Sequence, residues 1–175
     1  PRSTLFPYTT LFRSREGKVW MHKYCRGKLI KKLAAQPKKN RRGTKVRFHP
    51  DPKIFGDETT FSPVHLYALS RSKAYLHRGV EIRWSCAPEL IESSDNIPEQ
   101  TIFHFPGGIV QALEGQLAQR TAVNHRPFVG TVKIDETNRM EWAVAWPEDE
   151  QPFVETYCNA IPTPQGGTHE LGLRS

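Results

Sequence analysis

The sequence contains few cysteines and no long apolar run. Its three cysteines, Cys25, Cys86 and Cys158, are far apart and odd in number, and no Cys-x-x-Cys pair occurs. This pattern argues against a disulfide framework and against a zinc site, and it indicates a reduced, cytoplasmic protein. No apolar stretch approaches the roughly 20 residues that a membrane helix needs, so no membrane association is predicted.

Catalytic motifs are also scarce. The sequence has neither a phosphate-loop lysine motif nor a Gly-x-Ser-x-Gly nucleophile motif. Cys158, His104 and Asn159 could form a thiol-protease trio, but a free cysteine in a strand is more often a core residue. The residue pattern alone therefore defines no catalytic centre.

Three further polar residues are ambiguous. His169 follows a pair of glycines and could act as a base or contact an anion, although a histidine at a helix start is more often packed or solvated. Glu141 and Glu155 have no partner that their spacing defines. A hydrolase with paired carboxylates is therefore not supported.

Positive charge is concentrated in one segment. The formal net charge is +7, but residues 15–47 hold 13 Lys or Arg and one acid, Glu16. Residues 48–175 hold 10 basic and 17 acidic residues. Two interpretations remain open. One is a non-enzymatic module that binds polyanions through residues 15–47, with Trp20 and Tyr24 available for stacking; the other is a solvated, lysine-rich hairpin and loop.

The first half of the chain predicts a hairpin, a strand and a helix. Alternating side chains over residues 15–30 indicate a β-hairpin that turns at Arg26-Gly27, and residues 43–48 indicate a short strand. A helix is expected over residues 61–76, because Ser62 can cap it. Its apolar stripe is expected at Leu66, Leu69, Lys73 and Leu76, widened by Tyr67, Ala74 and Tyr75.

The second half alternates strands with helices. This order predicts an α+β fold in which helices pack on a mixed sheet. Strands are expected over residues 80–85, 100–105, 128–134, 140–146 and 154–161, and helices over residues 106–117 and from a capping Thr168 onward.

The first 14 residues do not resemble a natural leader. Thr4–Ser14 resembles the direct translation of a common sequencing-library adapter, and it lacks the apolar core and cleavage site of a signal peptide. We therefore expect residues 1–14 to be a non-native head, and the fold expected from the sequence leaves them out. The native reading frame is expected to begin near Arg15, in a chain truncated at its N-terminus.

The most specific stretch runs from Tyr157 to Arg174. It reads Tyr-Cys-Asn-Ala-Ile-Pro-Thr-Pro-Gln-Gly-Gly-Thr-His-Glu-Leu-Gly-Leu-Arg. Its prolines and glycines indicate a rigid turn between an extended segment and a helix start. The run resembles the Asn-x-Ile-Pro-Thr-x-x-Gly-Gly-Thr-His-x-x-Gly-Leu-Arg signature of the B subunits of bacterial type IIA DNA topoisomerases. In that family the signature lies in the transducer domain.

A second stretch carries the same resemblance. Residues 43–55 read Gly-Thr-Lys-Val-Arg-Phe-His-Pro-Asp-Pro-Lys-Ile-Phe, similar to the family's run in which the Gly-Thr strand closes the ATP pocket. The resemblance implies that Thr44 lies near the adenine, that Val46 is an apolar wall of the pocket and that Arg15 lies at its mouth. Without the resemblance, Thr44 would be interpreted as an ordinary β-branched strand residue.

The resemblance covers residues 15–174 and implies a domain organisation. Residues 15–49 would be the last strands of a GHKL-type ATPase domain, and residues 50–175 would be a truncated transducer domain. Motifs such as Phe-Pro-Gly-Gly-Ile at 105–109 and Glu-Trp-Ala-Val-Ala-Trp at 141–146 are more similar to the topoisomerase IV members of the family than to the gyrase members.

The resemblance also implies a function for the intact protein. Family members hydrolyse ATP with Mg²⁺, dimerise their B subunits when ATP binds, and use the transducer to couple nucleotide state to DNA strand passage with the A subunit of topoisomerase IV or gyrase. The family's catalytic and metal-binding residues would lie outside this sequence. The chain alone is therefore expected to bind no cofactor and to be inactive.

Overall fold

The computed structural model describes residues 8–15, 18–26, 28–36, 43–57, 59–149 and 151–175. The chain divides into two compact units, Pro1–Phe61 and Ser62–Ser175. The first consists of strands and one single-turn helix, and the second combines longer helices with strands.

A four-stranded antiparallel sheet forms the first unit. Its strands are β1 (Tyr8–Arg15), β2 (Lys18–Cys25), β3 (Lys28–Gln36) and β4 (Gly43–His49), in the spatial order β3-β2-β1-β4. The hairpin predicted over residues 15–30 is confirmed as β2 and β3, and the strand predicted over 43–48 is confirmed as β4. A single-turn helix, α1 (Pro52–Phe55), follows.

Strand β1 differs from the expectation. The fold expected from the sequence leaves out residues 1–14 as a non-native head, but Tyr8–Arg15 pairs with β2 on one side and with β4 on the other. Because β1 supplies backbone partners to both neighbours, the sheet depends on it as a central strand. Residues 1–7 lie outside the described part of the chain, and the non-native origin of the head stays a prediction.

One buried carboxylate, that of Asp51, links two segments of this unit. Asp51 is 2% exposed and caps α1 by accepting a hydrogen bond from the Lys53 amide at 3.1 Å. The Arg26 guanidinium donates to both carboxylate oxygens of Asp51, at 2.8 and 3.2 Å. This hydrogen bond from Arg26 lowers the pKa of Asp51 below its usual value, and it ties the turn after β2 to the segment after β4.

The second unit consists of helices and short antiparallel strand pairs. All pairs described in it are antiparallel: β5 with β6, β7 with β8, and β9 with β10. The expected α+β class is confirmed, whereas the expected mixed sheet is replaced by three separate pairs. Its elements are α2 (Pro63–Leu76), β5 (Glu81–Ser85), a 3₁₀ turn (Pro88–Leu90), β6 (Gln100–His104), α3 (Ile109–Gln116), β7 (Phe128–Lys133), β8 (Arg139–Val144), β9 (Tyr157–Cys158), β10 (Ile161–Pro162) and α4 (Thr168–Arg174).

Helix α2 is the centre of the second unit's core. Its N-cap, Ser62, accepts a hydrogen bond from the His65 amide at 3.3 Å, which confirms the predicted cap. The buried positions are Ser72, Ala74 and Tyr75, whereas Leu69 is exposed, so the predicted stripe is wrong in this detail. The buried positions lie in the C-terminal half of the helix, where the Tyr75 ring packs against the Phe105 ring.

Aromatic contacts hold α2 against the β5–β6 pair. The Tyr67 ring meets the Trp84 ring edge-on, with 5.6 Å between centroids, and it meets Phe103 at 5.0 Å. Phe103 is buried and lies opposite Ile82 in the strand pair. Edge-to-face aromatic pairs of this kind add to the free energy gained by burial.

No helix within the described ranges is long and apolar enough to cross a membrane.

The β7–β8 hairpin is closed by a polar turn and a packed tryptophan. Asp135 accepts hydrogen bonds from the Asn138 side-chain amide and from the backbone amides of Thr137 and Asn138, and these bonds lower its pKa well below the usual value. Gly130 lies opposite Trp142, and a Cβ atom added at Gly130 would come within 2.0 Å of the indole ring. Glycine is therefore required at this position by the close approach of the ring.

Two predictions near the C-terminus are wrong. The strand expected over residues 154–161 is a tight hairpin of two-residue strands, and its turn residues Asn159 and Ala160 have φ angles of 48° and 62°. The predicted cap of α4, Thr168, is instead the first helical residue, and Gly167 occupies the N-cap position without a side-chain hydrogen bond. The Asn-Ala turn is not evident from the sequence because alanine rarely takes a positive φ.

Candidate functional site

The register of the first sheet places Thr44 and Val46 on one face. Arg13 of β1 lies opposite Thr44 on β4 and opposite Trp20 on β2. Residues directly opposite one another in an antiparallel ladder share a face, and alternate residues along each strand join them. The Thr44 face, as we define it, comprises Arg13, Lys18, Trp20, His22, Tyr24, Thr44, Val46 and Phe48.

Apart from Arg13 and Lys18, the Thr44 face is largely aromatic and apolar. His22 and Tyr24 stack with 5.9 Å between ring centroids, and Phe48 meets Phe61 edge-on at 5.7 Å. Val46 remains 55% exposed. A largely apolar surface that also carries the Thr44 hydroxyl suits a planar heteroaromatic ring that needs a hydrogen-bond partner. The residues present therefore fit the adenine side of a nucleotide site.

Arg15 is positioned only by its backbone. It is the last residue of β1 and lies opposite Lys18 of β2. Its side chain lies outside the described part of the structure. The structure thus brings Thr44 and Val46 together on one face, and the role predicted for Arg15 stays a prediction.

A groove in the second unit contains much of the signature stretch. Its volume is about 490 Å³, and Glu155 lies in its wall. The other lining residues are Val154, Thr156, Tyr157, Pro162, Thr163, Pro164, Gln165, Gly166 and Glu170. The groove is open to solvent, and its described polar groups are mainly carboxylates, hydroxyls and backbone atoms.

A hydrogen-bonded cluster fastens this groove to α2. Glu155 accepts hydrogen bonds from Tyr75 at 2.9 Å, from Tyr157 at 3.0 Å and from Gln116 at 3.1 Å. The two tyrosine hydroxyls are 2.5 Å apart. Burial, followed by the hydrogen bonds to Tyr157 and Glu155, raises the pKa of Tyr75 far above its usual value. Tyr75 is thus a donor that keeps its proton at every physiological pH.

A lysine near Tyr75 on the same helix reinforces this contact. Lys73 on α2 donates a hydrogen bond from Nζ to the carbonyl oxygen of Ala160, in the turn between β9 and β10. Together with the Tyr75 cluster, this bond ties the signature hairpin to the helix. Sequence reasoning missed the cluster because Tyr75 and Glu155 are 80 positions apart and no local pattern pairs them.

The glycine pair of the signature has a steric explanation. Gly166 has a φ of 74°, a conformation that favours glycine. A Cβ added at Gly167 would come within 2.6 Å of the His169 ring, so that ring lies against the backbone. His169 is half-buried, and its Nε2 has no hydrogen-bond partner among the described residues. These contacts favour the packed interpretation of His169 over an anion contact.

The other candidate chemistries gain no support. No hydrogen bond joins His104 to Cys158 within the ranges that the structure describes, and Cys158 is exposed. The Glu141 carboxylate lies 3.4 Å from the Arg78 guanidinium and 3.8 Å from that of Arg139, so its charge is satisfied by structural partners. The described residues contain no cluster of three or more potential metal ligands.

Comparison with known sequences identifies relatives of this chain. Residues 108–175 match the family model of DNA gyrase B. The B subunit of DNA topoisomerase 4 from Bartonella bacilliformis is 46% identical over 136 residues, covering 77% of this chain and 20% of that protein. The corresponding protein of Rickettsia bellii is 39% identical over 164 residues, covering 92% of this chain and 24% of that protein. The chain thus spans a fifth to a quarter of the length of these curated relatives.

Solved structures agree with the sequence relatives. The 43K ATPase domain of Thermus thermophilus gyrase B, in complex with an aminocoumarin, has a TM-score of 0.76 and 27% identity, covering 95% of this chain and 43% of that one. The topoisomerase IV ATP-binding domain of Francisella tularensis, with a small-molecule inhibitor, has a TM-score of 0.68 and 25% identity, covering 97% and 43%. The gyrase B subunit of Myxococcus xanthus, at 24% identity and a TM-score of 0.80, covering 97% and 48%, shares the fold.

These findings define the class of protein. The chain has the α+β fold found in the ATPase domains of type II DNA topoisomerase B subunits. The resemblance seen in the sequence is therefore confirmed, and the chain belongs to the B-subunit family of bacterial type IIA DNA topoisomerases. The Bartonella and Rickettsia relatives are both topoisomerase IV B subunits, which agrees with the motif comparison.

Proposed function

We propose that the whole protein is the B subunit of an ATP-dependent type IIA DNA topoisomerase and that β4 borders its nucleotide site. The observation that carries the proposal is the shared face of Thr44 and Val46, in a chain whose structural relatives are ATPase and ATP-binding domains. The Thr44 hydroxyl would hydrogen-bond on the adenine side, and Val46 would contact the ring. Arg15 would lie at the pocket mouth.

Hydrolysis of a phosphoanhydride bond of bound ATP would supply the free energy that drives strand passage. The described residues supply the adenine wall and no cluster of metal ligands, so Mg²⁺ and the phosphates would be held by other parts of the intact protein. Residues 15–49 would complete the ATPase domain, and residues 50–175 would form part of the transducer. The tie between α2 and the signature hairpin would let these elements move as one body during coupling.

The assembled enzyme would include further components. Its partners would be the A subunit of topoisomerase IV, or that of gyrase, and DNA, with B subunits dimerising when ATP binds. It would act in the cytoplasm. The geometry divides the basic residues of the polyanion alternative between the two faces of the sheet. Arg13 and Lys18 share the face of Trp20 and Tyr24, whereas Lys23, Lys45 and Arg47 lie on the other face.

Substitution of the Thr44 face tests the nucleotide proposal. In the complete B subunit assembled with an A subunit, Thr44→Ala with Val46→Ala should raise the KM for ATP about tenfold, equivalent to about 1.4 kcal/mol of lost binding. The matched control is Thr131→Ala with Val132→Ala, which removes the same atoms from exposed positions of β7. Equal effects of the two double variants on KM, or no effect of either, would contradict the assignment of β4 to the nucleotide site.

A further inference from the structure

The face of the first sheet opposite the Thr44 face collects lysine and arginine side chains. Lys31 on β3 lies opposite Lys23 on β2, Lys23 lies opposite Thr10 on β1, and Thr10 lies opposite Arg47 on β4. The register between β2 and β3 shifts after Lys23, and beyond this shift Cys25, two residues from Lys23, pairs with Lys28, which brings Lys28 to the same face; Lys45 lies two residues from Arg47. The basic face, as we define it, comprises Lys23, Lys28, Lys31, Lys45 and Arg47.

These five side chains are all exposed. None of the four strands contains an acidic residue. Lys28, Lys31, Lys45 and Arg47 make no ion pair with any acidic residue in the described ranges. Within the described ranges the charges of these four side chains are therefore exposed to solvent without a carboxylate partner, which produces a positive potential over one side of the sheet.

The dimensions of the basic face match a duplex rather than a small anion. Four strands span about 14 Å from edge to edge, and alternate residues on one strand are about 7 Å apart. Duplex DNA carries one negative charge per about 1.7 Å of its length, so several phosphates would lie over such a surface. A single phosphate or carboxylate would engage only one or two of the five cations.

We propose that the basic face is a docking surface for the phosphate backbone of duplex DNA, bound without regard to base sequence. A single strand would be expected to seek exposed aromatic side chains for stacking. Trp20 and Tyr24 lie on the opposite face, and Phe12, which shares the basic face opposite Lys45, is partly buried. A duplex presents only its charged backbone to a flat sheet, so lysine and arginine side chains suffice. The same sheet would thus face nucleotide on one side and DNA on the other.

The basic face is independent of the nucleotide site. It depends only on the pairing register and on the charges of β2, β3 and β4, so DNA docking can fail while the assignment of Thr44 and Val46 stands. Substitutions on β4 distinguish the two faces, because alternate residues of the strand point to opposite sides of the sheet.

The test measures DNA binding by the full 175-residue chain. A fluorescent duplex of about 30 base pairs would be titrated at several salt concentrations, with Lys45→Gln and Arg47→Gln combined in one variant. The matched control combines Lys133→Gln with Arg139→Gln, an opposed pair of exposed cations on β7 and β8. Both variants lower the formal net charge by two, so bulk charge alone would weaken both equally.

The expected result is a tenfold or greater loss of affinity for Lys45→Gln with Arg47→Gln at low salt, and a loss of less than twofold for the control. The slope of log K against log salt should fall by about 2 in magnitude for the β4 variant, since each phosphate contact contributes about 0.9. Amide hydrogen exchange in β4 would establish that the variant keeps its fold. If it does not, Lys28→Gln with Lys31→Gln, on β3, carries the same expectation.

Three results would overturn the proposal. Equal weakening by the β4 variant and its control would show that only net charge matters. Tighter binding of a single strand of the same length would assign the contact to the aromatic face. Displacement of the duplex by polyglutamate at equal charge would show a surface for acidic polypeptides in place of DNA.

Discussion

The two units of this chain are stabilised in different ways. In the first unit, Asp51 is the only buried side chain within the described ranges, and both faces of β4 are exposed. In the second unit, α2 buries Ala74 and Tyr75, and the adjacent strand β6 buries Phe103. In its described part, the first unit therefore depends mainly on backbone ladders and on the ion pair between Arg26 and Asp51, whereas the second depends on side-chain packing around a helix.

This contrast indicates where each unit can carry function. A sheet that buries few described side chains presents two chemically distinct faces, and each is available to a ligand. A packed unit uses its polar groups internally, as Glu155 does with Tyr75 and Tyr157. We therefore infer that the first unit provides contact surfaces for ligands and that the second unit, through its packed elements, transmits changes of position. Substitutions in each unit can separate these two roles.

The largest effect is expected from Phe103→Ala. Removing this buried ring from its contact with Tyr67 should lower the free energy of unfolding of the second unit by about 3–5 kcal/mol. The loss combines the transfer free energy of the ring with that of the cavity left behind. Chemical denaturation, with hydrogen exchange to resolve the two units, measures it. Ile102→Ala, at the exposed neighbouring position, should change stability by less than about 0.5 kcal/mol.

An effect of intermediate size is expected from Tyr75→Phe. The change removes a hydroxyl that donates to Glu155, and it should cost the second unit about 1–2 kcal/mol near neutral pH. Gln116→Ala, which removes the more exposed donor to the same carboxylate, should cost less. A Tyr75→Phe variant as stable as the parent would show that the cluster does not hold the hairpin to α2.

The same cluster predicts a loss of stability in alkali. The folded state raises the pKa of Tyr75 above its usual value of 10.0, so the folded chain keeps a proton that the unfolded chain releases. The resulting stability is complete below pH 10 and falls as pH rises beyond it. Burial also raises the pKa of Tyr157, so Tyr75→Phe should reduce this dependence without abolishing it. Denaturation at about pH 8 and about pH 11 compares the two proteins.

The smallest effect is expected from Asp51→Asn, and it should be confined to the first unit. Arg26 lowers the pKa of Asp51, so the stabilising contribution is present above the usual value of 3.8 and is lost as pH falls below it. The parent should show faster hydrogen exchange in α1 and near Arg26 as acid is added. The variant should show that faster exchange already near neutral pH. Asp57→Asn, at an exposed position, is the control, and any change in the second unit would contradict the separation.

Local sequence patterns predicted much of the fold. The alternating side chains of β2 and β4 were sufficient to predict these strands, and Ser62 was sufficient to predict the start of α2, because each signal is encoded within a few neighbouring residues. The face shared by Thr44 and Val46 also follows from period-two alternation. The pairing partners of β4 did not follow, because the strand between it and β2 is a segment whose sequence resembles an adapter.

Family membership, the concentration of positive charge and most helix and strand positions follow from the sequence alone, since motifs, charges and periodicity are local properties. Which side chains share a surface depends on the tertiary structure. Pairing register placed Trp20 and Lys23 on opposite faces, and the packing of α2 joined Tyr75 to Glu155 across 80 positions. Both outcomes require long-range pairing, where the free energy of a contact must exceed the entropy of closing a long loop.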